Sequence, residues 1–225
     1  MLISHQKKFI FIKTRKTAGT SIEGVLQQFA TPPNHPVTHA QPFMDTEHGV
    51  VGARGLGGQT DDPLWAHSSA SEIEKYLGKE QFRTYTKIYS VRNPFDKVVS
   101  WFWHVAPHSL RDDLANDPEK TKWYFRNWLL MRPILPRDRK LYKINGKIFE
   151  AKIIRYENLN QDLESLSFDL GLGLSTEAMP EWKRGSRKNK GLSLTQLYDK
   201  STADAVRRAF SFDFSQFGYD KKVPE

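Results

Sequence analysis

Residues 9–21 read Phe9-Ile-Phe-Ile-Lys-Thr-Arg-Lys-Thr-Ala-Gly-Thr-Ser21, an apolar run followed at once by small, hydroxylated and basic residues. The run Phe9 to Ile12 predicts a buried strand. Apolar residues then recur at helical spacing, at Ile22, Val25, Leu26 and Phe29. The segment between strand and helix is therefore a predicted turn. Such a turn aims backbone N–H groups, a helix N-terminus and a lysine ammonium at one point, which favours a phosphate or sulfate group.

This segment differs from the ordinary nucleotide-binding loop G-x-x-x-x-G-K-[ST]. Lys16 precedes Gly19, and no earlier glycine opens the loop. A standard ATPase or kinase is therefore disfavoured. The means of anion binding remain, because Gly19 lets the backbone approach an anion, Thr20 and Ser21 offer hydroxyls, and Lys16 supplies charge. A plain strand-to-helix turn with an exposed lysine is the structural alternative.

A second segment of this kind is Tyr89-Ser-Val-Arg-Asn-Pro-Phe-Asp-Lys-Val-Val-Ser100, which follows a strand predicted over Thr86 to Val91. Arg92 is expected at the carboxyl end of that strand, where open α/β sheets bind ligands. Its planar guanidinium suits phosphate, and Ser100 comes about two helical turns later. A plain ion pair between Arg92 and Asp96 is the alternative. Two anion sites at two strand ends favour a ligand with two separated phosphate-type groups.

The remaining patterns alternate between strand and helix, which predicts an α/β domain with a central, mostly parallel sheet. Asn93-Pro94 predicts a helix start, and Asn145-Gly146 predicts a hairpin turn between strands at 141–144 and 147–154. Two capping boxes are expected, one of Ser71 with Glu74 and one of Ser201 with Asp204. Residues 111–140 are expected to be helical. Residues 31–65 are rich in Pro, Gly and His and predict a long surface excursion.

The chain has 225 residues and a formal net charge of +8, which suits anionic partners, although many soluble proteins are basic. It contains no cysteine, so disulfides and thiolate metal sites are excluded. The first apolar run is too short for a signal-peptide core or a membrane span. We therefore expect a soluble, cytoplasmic protein.

In this order, the two basic segments resemble those of the sulfotransferases that use PAPS, 3′-phosphoadenosine 5′-phosphosulfate. The nearest branch contains carbohydrate sulfotransferases and many bacterial relatives. Two further segments are similar to family segments: Ile154-Arg-Tyr-Glu-Asn-Leu159 and Phe212-Asp-Phe-Ser-Gln-Phe-Gly-Tyr219. The resemblance implies one sulfotransferase domain over residues 1–225, with a P-loop-like, three-layer α/β fold. It also implies sulfuryl transfer from PAPS to an acceptor hydroxyl, on a carbohydrate or glycoconjugate, with 3′,5′-ADP as product.

The resemblance also assigns roles to individual residues. The 5′-phosphosulfate would be held by the residues of the first segment, Lys16, Thr17, Ala18, Gly19, Thr20 and Ser21, and the 3′-phosphate by Arg92 and Ser100. Lys16 would also stabilise charge on the leaving group. Tyr156 is expected near the adenine. Arg187 and Lys188 are expected to contact the 3′-phosphate, and a solvated charged loop is the alternative for them.

This chain departs from the family pattern at two positions. Arg15 stands where the family often has proline, and Lys97 stands where it often has arginine. Neither departure removes a required donor. Arg15, however, is expected to change how the loop meets the phosphosulfate.

Sulfuryl transfer needs a base for the acceptor hydroxyl, and a histidine suits neutral pH. By resemblance, His67 in Trp65-Ala-His-Ser-Ser-Ala-Ser-Glu-Ile73 is expected to be that base; capping or packing of the next helix is the alternative. Glu47 is a second candidate base. His35 and His39 lack nearby carboxylates, so no metal site is expected, and nothing calls for magnesium.

Two other functions stay open at this point. A P-loop-type kinase would depend on ATP and magnesium. A non-enzymatic polyanion-binding protein would bind acidic glycans or nucleic acid in a salt-dependent manner and would ignore PAPS. Under the sulfotransferase interpretation, no nucleic-acid partner and no membrane span are expected. Residues 31–66 and 111–147 are then acceptor-side insertions, and the aromatic segment 123–128 either stacks on sugar rings or packs in the core.

Overall fold

The computed structural model describes residues 1–38, 40–55, 61–174 and 192–225. The strands in this part of the chain are β1 (Leu2–Ser4), β2 (Phe9–Ile12), β3 (Met44–Thr46), β4 (Gly49–Val51), β5 (Thr86–Val91), β6 (Lys143–Ile144), β7 (Lys147–Ile148) and β8 (Lys152–Arg155). The helices are α1 (Gly19–Leu26), α2 (Ala70–Leu77), α3 (Lys79–Thr84), α4 (Pro94–Val105), α5 (His108–Asn116), α6 (Pro118–Leu130), α7 (Leu159–Asp169), α8 (Leu194–Leu197), α9 (Lys200–Ala209) and α10 (Ser211–Phe217). Short 3₁₀ turns lie at Gln27–Phe29 and Tyr156–Asn158.

Two compact units divide the chain, and the first, unit 1, comprises Met1–Val91 and Asp138–Trp182. It contains a six-stranded sheet in the order β3-β4-β1-β2-β5-β8. The strands β2, β5 and β8 are parallel, whereas β1, β3 and β4 pair antiparallel. The predicted α/β class with a central sheet flanked by helices is confirmed. The carboxyl ends of the three parallel strands share one edge, and the predicted phosphate-binding segment starts there.

The core of unit 1 explains why the apolar run forms a strand. All four residues of Phe9–Ile12 are fully buried. Side chains alternate between the two faces of a strand. One face joins α1 and α7 in a cluster of Leu2, Phe9, Phe11, Ile22, Leu26, Ala30, Val51, Ile88, Ile154, Leu163, Leu166 and Leu172. Elsewhere in unit 1 the ring of Tyr89 stacks on Tyr142, with centroids 4.9 Å apart.

The excursion predicted at 31–65 is only partly correct. It contains β3 and β4, and the buried strand β4 pairs with β1 inside the main sheet. The strand Lys147–Ile154 expected after Asn145-Gly146 is also split. Its start, β7, forms a separate hairpin with β6, and its end, β8, pairs with β5. The turn itself is confirmed, because Asn145 and Gly146 have φ of 50° and 77°, as a two-residue hairpin turn requires.

The second unit, unit 2, comprises Arg92–Arg137 and Lys183–Glu225, and its described elements are helices. Its core is a cluster of Phe95, Val98, Val99, Phe102, Trp103, Leu114, Phe125, Leu129, Leu194, Leu197, Tyr198, Ala203, Val206, Phe210 and Phe214. Within the aromatic segment, Phe125 is fully buried and Trp128 packs against this core, whereas Trp123 is 61% exposed. Part of that segment is therefore core, and Trp123 is left accessible.

Helix starts agree with the sequence in one case and differ in two. Asn93 caps α4 by accepting the N–H of Phe95 at 3.0 Å, as predicted. Helix α2 is capped by Ser69 with Glu72, and α9 by Asp199 with Thr202, two residues before the predicted caps. An N-cap needs an extended backbone, and the residues proposed from sequence already lie inside the helices.

The helix expected over 111–140 ends earlier in the structure. Helices α5 and α6 meet at Asp117, which caps α6, and α6 ends at Leu130. Pro133 and Pro136 follow, and proline removes a helical donor and restricts the residue before it. Across the described residues, no helix is long and apolar enough to cross a membrane.

Candidate functional site

The segment between β2 and α1 has the backbone of an anion-binding loop. Lys16 and Ala18 are both left-handed, each with φ of 62°. Ala18 is the N-cap of α1 and provides no side-chain cap. Residues that alternate in handedness direct successive N–H groups into one concavity, and a helix start without a side-chain cap adds its first-turn N–H groups. Two non-glycine residues in this conformation are strained, so neighbouring contacts must hold the loop.

A group of three hydroxyls holds the loop to the end of β5. Thr17 is fully buried, and its hydroxyl lies 2.8 Å from those of Thr14 and Ser90. Thr14 also donates to the backbone carbonyl of Ser90 at 2.5 Å. The Thr17 side chain, predicted as a ligand contact, is therefore engaged within the protein. These contacts join the ends of two parallel strands.

Arg15 is hydrogen-bonded to Asp138, a residue that no sequence motif indicates. Its backbone N–H donates to Asp138 Oδ2 at 2.9 Å, and its guanidinium Nη1 lies 3.2 Å from Oδ1. Asp138 is fully buried. Proline has no N–H to give, so the departure at Arg15 adds an anchor that proline could not supply. No local sequence pattern connects residues 123 positions apart.

The remaining residues of the loop differ in exposure. Lys16 and Thr20 are half-buried, and Ser21 is buried. A side chain on Gly19 would place its Cβ 2.8 Å from Lys13 Cγ and 3.3 Å from the carbonyl oxygen of Thr14. The absence of a side chain at Gly19 thus leaves room for the stem of Lys13 beneath the loop.

Below the loop lies a charge cluster, formed by the Met1 ammonium, Lys13, Glu23 and Arg54. The Glu23 carboxylate lies 2.5 Å from the Met1 nitrogen, 2.5 Å from Lys13 Nζ and 3.6 Å from Arg54 Nη1. All four residues are buried. Burial alone would raise the pKa of Glu23, but the three cations hold it at about 2. Burial also disfavours the charged form of the Met1 ammonium and lowers its pKa to about 6.

His67 is hydrogen-bonded to Lys13, the first residue after β2. Its Nδ1 lies 2.8 Å from the backbone carbonyl of Lys13. A carbonyl can only accept, so Nδ1 carries the proton and the lone pair is on Nε2. The ring also meets Trp65 edge to face, with centroids 5.5 Å apart. Helix α2 is capped by Ser69, so the alternative capping role of His67 is not what the structure shows.

Burial is the main cause that lowers the pKa of His67, to about 4. The positive charges of Lys13, Met1 and Arg15 lower it further, against the hydrogen bond to the Lys13 carbonyl. At neutral pH the imidazole is therefore neutral. A neutral ring with its lone pair on Nε2 has the protonation state that a general base needs.

Arg92 and Ser100 belong to unit 2. Arg92 directly follows β5, and its side chain is 6% exposed. Its Nη2 and Nε lie 2.6 and 2.7 Å from Asp96 Oδ2, so the ion pair considered as the alternative is present. Ser100 is half-buried and follows Asp96 by four residues on α4, which places both on one face of the helix. Lys97 is buried, with Nζ 6.0 Å from the ring centre of Phe210.

The other candidates are spread over the chain. Tyr156 follows β8 and is 36% exposed. Glu47 is exposed in the turn between β3 and β4, beside the end of β1 that pairs with Phe9, at the opposite edge of the sheet from the loop. Arg187, Lys188 and His39 lie outside the described residues. Among the residues that are described, no three His, Asp or Glu side chains group to hold a metal.

A sequence model of the sulfotransferase family matches residues 1–220 of the chain. No curated protein and no solved structure matches the chain. The matched range contains both basic segments and His67, so the features described above lie inside the family's own boundaries.

Proposed function

The chain belongs to the sulfotransferase family, and from this premise we propose that it moves a sulfuryl group from PAPS to a hydroxyl of a carbohydrate or glycoconjugate. One observation carries the proposal. Within the family match, the loop after β2 combines two left-handed residues, a helix start without a side-chain cap and the half-buried Lys16. This combination suits a group with phosphate or sulfate oxygens.

The residues present fit such a donor. We propose that the backbone of residues 16–21 and the ammonium of Lys16 hold its 5′-phosphosulfate. Following the family resemblance, Arg92 and Ser100 hold the 3′-phosphate, and Tyr156 lies near the adenine. Arg187 and Lys188 keep their proposed contact with the 3′-phosphate. PAPS supplies the sulfuryl group, and residues 1–225 serve as one sulfotransferase domain with acceptor-side insertions at 31–66 and 111–147.

His67 is the proposed base. Its Nε2 takes the proton of the acceptor hydroxyl while the hydroxyl oxygen bonds to sulfur and the bond between sulfur and the phosphate oxygen breaks. Lys16 stabilises the negative charge that develops on that phosphate oxygen. The neutral ring, with its proton fixed on Nδ1, supports this assignment, because proton acceptance then falls to Nε2 alone.

Titration calorimetry with 3′,5′-ADP tests the donor. We expect binding by the wild-type protein, and affinity reduced at least about tenfold in Lys16→Ala and in Arg92→Ala, because each loses a charge-assisted contact to phosphate. Lys122→Ala is the matched control, since this lysine forms an exposed pair with Glu119 and should leave affinity unchanged.

The competing functions predict different titrations. Binding of ATP with magnesium, and none of 3′,5′-ADP, would favour a phosphotransferase. No binding of either nucleotide, together with salt-dependent binding of heparin, would favour a polyanion-binding protein. Either result would overturn the proposed donor.

A further inference from the structure

Glu23 links the charge cluster to the proposed base. Lys13 Nζ donates to one oxygen of the Glu23 carboxylate at 2.5 Å. The backbone carbonyl of the same lysine accepts a hydrogen bond from His67 Nδ1 at 2.8 Å. The Met1 ammonium donates to the other carboxylate oxygen of Glu23 at 2.5 Å and also to the backbone carbonyl of Ala66 at 2.8 Å. Two of the three cations on Glu23 thus belong to residues that contact the segment of the base: the Met1 ammonium binds the carbonyl of Ala66, and the backbone carbonyl of Lys13 binds His67.

The side chain of Lys13 has little freedom between these contacts. Its Cγ occupies the space beside Gly19 that a side chain there would fill, and its ammonium is fixed by Glu23. The side chain and the carbonyl that holds His67 belong to the same residue. Fixing one end of Lys13 therefore restricts the direction in which its carbonyl faces the imidazole.

Stability alone gives a weak reason for such a cluster. A buried ion pair loses hydration, and a well-packed apolar replacement is often as stable or more stable. The arrangement instead suits a geometric task, because a proton acceptor must be held close to its productive position. Glu23 lies on α1, the helix that starts from the anion-binding loop, so the same helix carries the loop and the contact to Lys13.

We propose that Glu23 is a positioning residue, which acts through Lys13 to hold His67 in the tautomer and orientation of a base. This inference rests on the proposed function, in which His67 accepts the acceptor's proton. It adds a link that joins the phosphate-binding helix to the proton-accepting ring.

The variants Glu23→Gln and Lys13→Met test the link in different ways. Glu23→Gln leaves three buried cations without their carboxylate and can lower the stability of the fold. Lys13→Met keeps Glu23 paired with the Met1 ammonium and Arg54, retains the backbone carbonyl and replaces the stem with one of similar length. It removes only the anchoring of residue 13. Glu80→Gln is the control, because Glu80 is exposed and pairs with Arg83.

Two readouts are measured on each protein. The ¹⁵N chemical shifts of the His67 ring report the tautomer without any bound nucleotide. The rate of PAPS hydrolysis to sulfate and 3′,5′-ADP, with water as the acceptor, reports proton acceptance. We expect the wild type to hold its proton on Nδ1. Both variants should populate the Nε2–H form and hydrolyse PAPS about tenfold or more slowly, with the affinity for 3′,5′-ADP changed by less than about threefold.

His67→Ala separates this inference from the proposed function. If His67→Ala loses hydrolysis while Lys13→Met keeps the wild-type tautomer and rate, the positioning role of Glu23 is wrong and the base stands. If His67→Ala hydrolyses PAPS at the wild-type rate, the base assignment is wrong. The tautomer measurement still decides whether Glu23 and Lys13 hold the ring. Should Glu23→Gln fail to fold, Lys13→Met gives the same decision.

Discussion

At His67, burial and three nearby positive charges lower the pKa to about 4, whereas an exposed histidine titrates near 6.5. The residue type alone predicts a group that is partly charged at neutral pH. In the structure, burial and these charges favour the neutral ring down to acidic pH. As a consequence, the acidic limb of activity should lie well below pH 6 if His67 is the base.

The same shift predicts how folding stability depends on pH. Between pH 6.5 and 4 the unfolded chain protonates this histidine and the folded chain does not, so stability falls as the pH is lowered through this window. The loss approaches roughly 3 kcal/mol at the acidic end. Urea unfolding of wild type and His67→Asn at several pH values between 7 and 5 measures it. The asparagine can still donate to the Lys13 carbonyl, and the difference between the two proteins isolates the titration.

Other groups titrate in both proteins and cancel in that comparison. The lowered pKa of the Met1 ammonium makes stability fall from pH 8 to 6, and the lowered pKa of Glu23 makes it fall below pH 4.5. Parallel stability curves for wild type and His67→Asn between pH 7 and 5 would contradict the buried, neutral histidine.

At the scale of elements, the loop between β2 and α1 depends on contacts from two other parts of unit 1. The Ser90 hydroxyl at the end of β5 holds Thr17, and Asp138 holds Arg15. Residues 13–21 resemble a ligand-binding motif on sequence grounds alone. Their strained conformation is held by partners that the motif does not contain.

Helix α2 allows a clean test of which residue starts an element. Ser69 accepts the N–H of Glu72 with an extended backbone, whereas Ser71 lies inside the helix. We expect Ser69→Ala to lower the free energy of unfolding by about 1 kcal/mol, because a helix N–H loses its acceptor. Ser71→Ala should change it by less than about 0.5 kcal/mol. Urea denaturation of the two variants measures both, and a larger effect at Ser71 would contradict the observed cap.

At the scale of the whole molecule, the net charge of +8 attracts any polyanion, so affinity for an anion is weak support for a particular ligand. A specific site differs from this general attraction because it depends on individual residues. The donor interpretation therefore needs an experiment in which overall charge is nearly constant and one site is removed.

Ligand-linked unfolding provides that experiment. At 100 times its dissociation constant, 3′,5′-ADP should raise the free energy of unfolding by about 2.7 kcal/mol, while adenosine, which has no phosphate, should have little effect. In Lys16→Ala, whose affinity should be at least about tenfold lower, the same nucleotide concentration should stabilise by about 1.4 kcal/mol or less, although the net charge changes by only one. Thermal unfolding followed by circular dichroism measures this. Equal stabilisation of wild type and Lys16→Ala would show that the nucleotide binds elsewhere or only through general charge.

The sequence predicted features that depend on short-range pattern. The buried strand β2, the start of α4 at Asn93 and the turn at Asn145-Gly146 follow from apolar spacing, capping chemistry and backbone preference, and the structure confirms them. It failed where several neighbouring residues could serve equally, as at Ser69 and Ser71. It also missed β4, whose three residues form a strand because β1 lies beside them.

By itself, the sequence determined the α/β class, the family and the loop after β2. Each depends on residue patterns that can be recognised along the chain without knowing which distant residues come into contact. Only the tertiary structure decided how that loop is held and in what state His67 lies. The contacts responsible, from Arg15 to Asp138, Thr17 to Ser90 and Lys13 to His67, join residues 123, 73 and 54 positions apart. Local patterns carry no information on such pairs, because only folding brings these residues together and buries His67 away from the water that would otherwise favour its charged form.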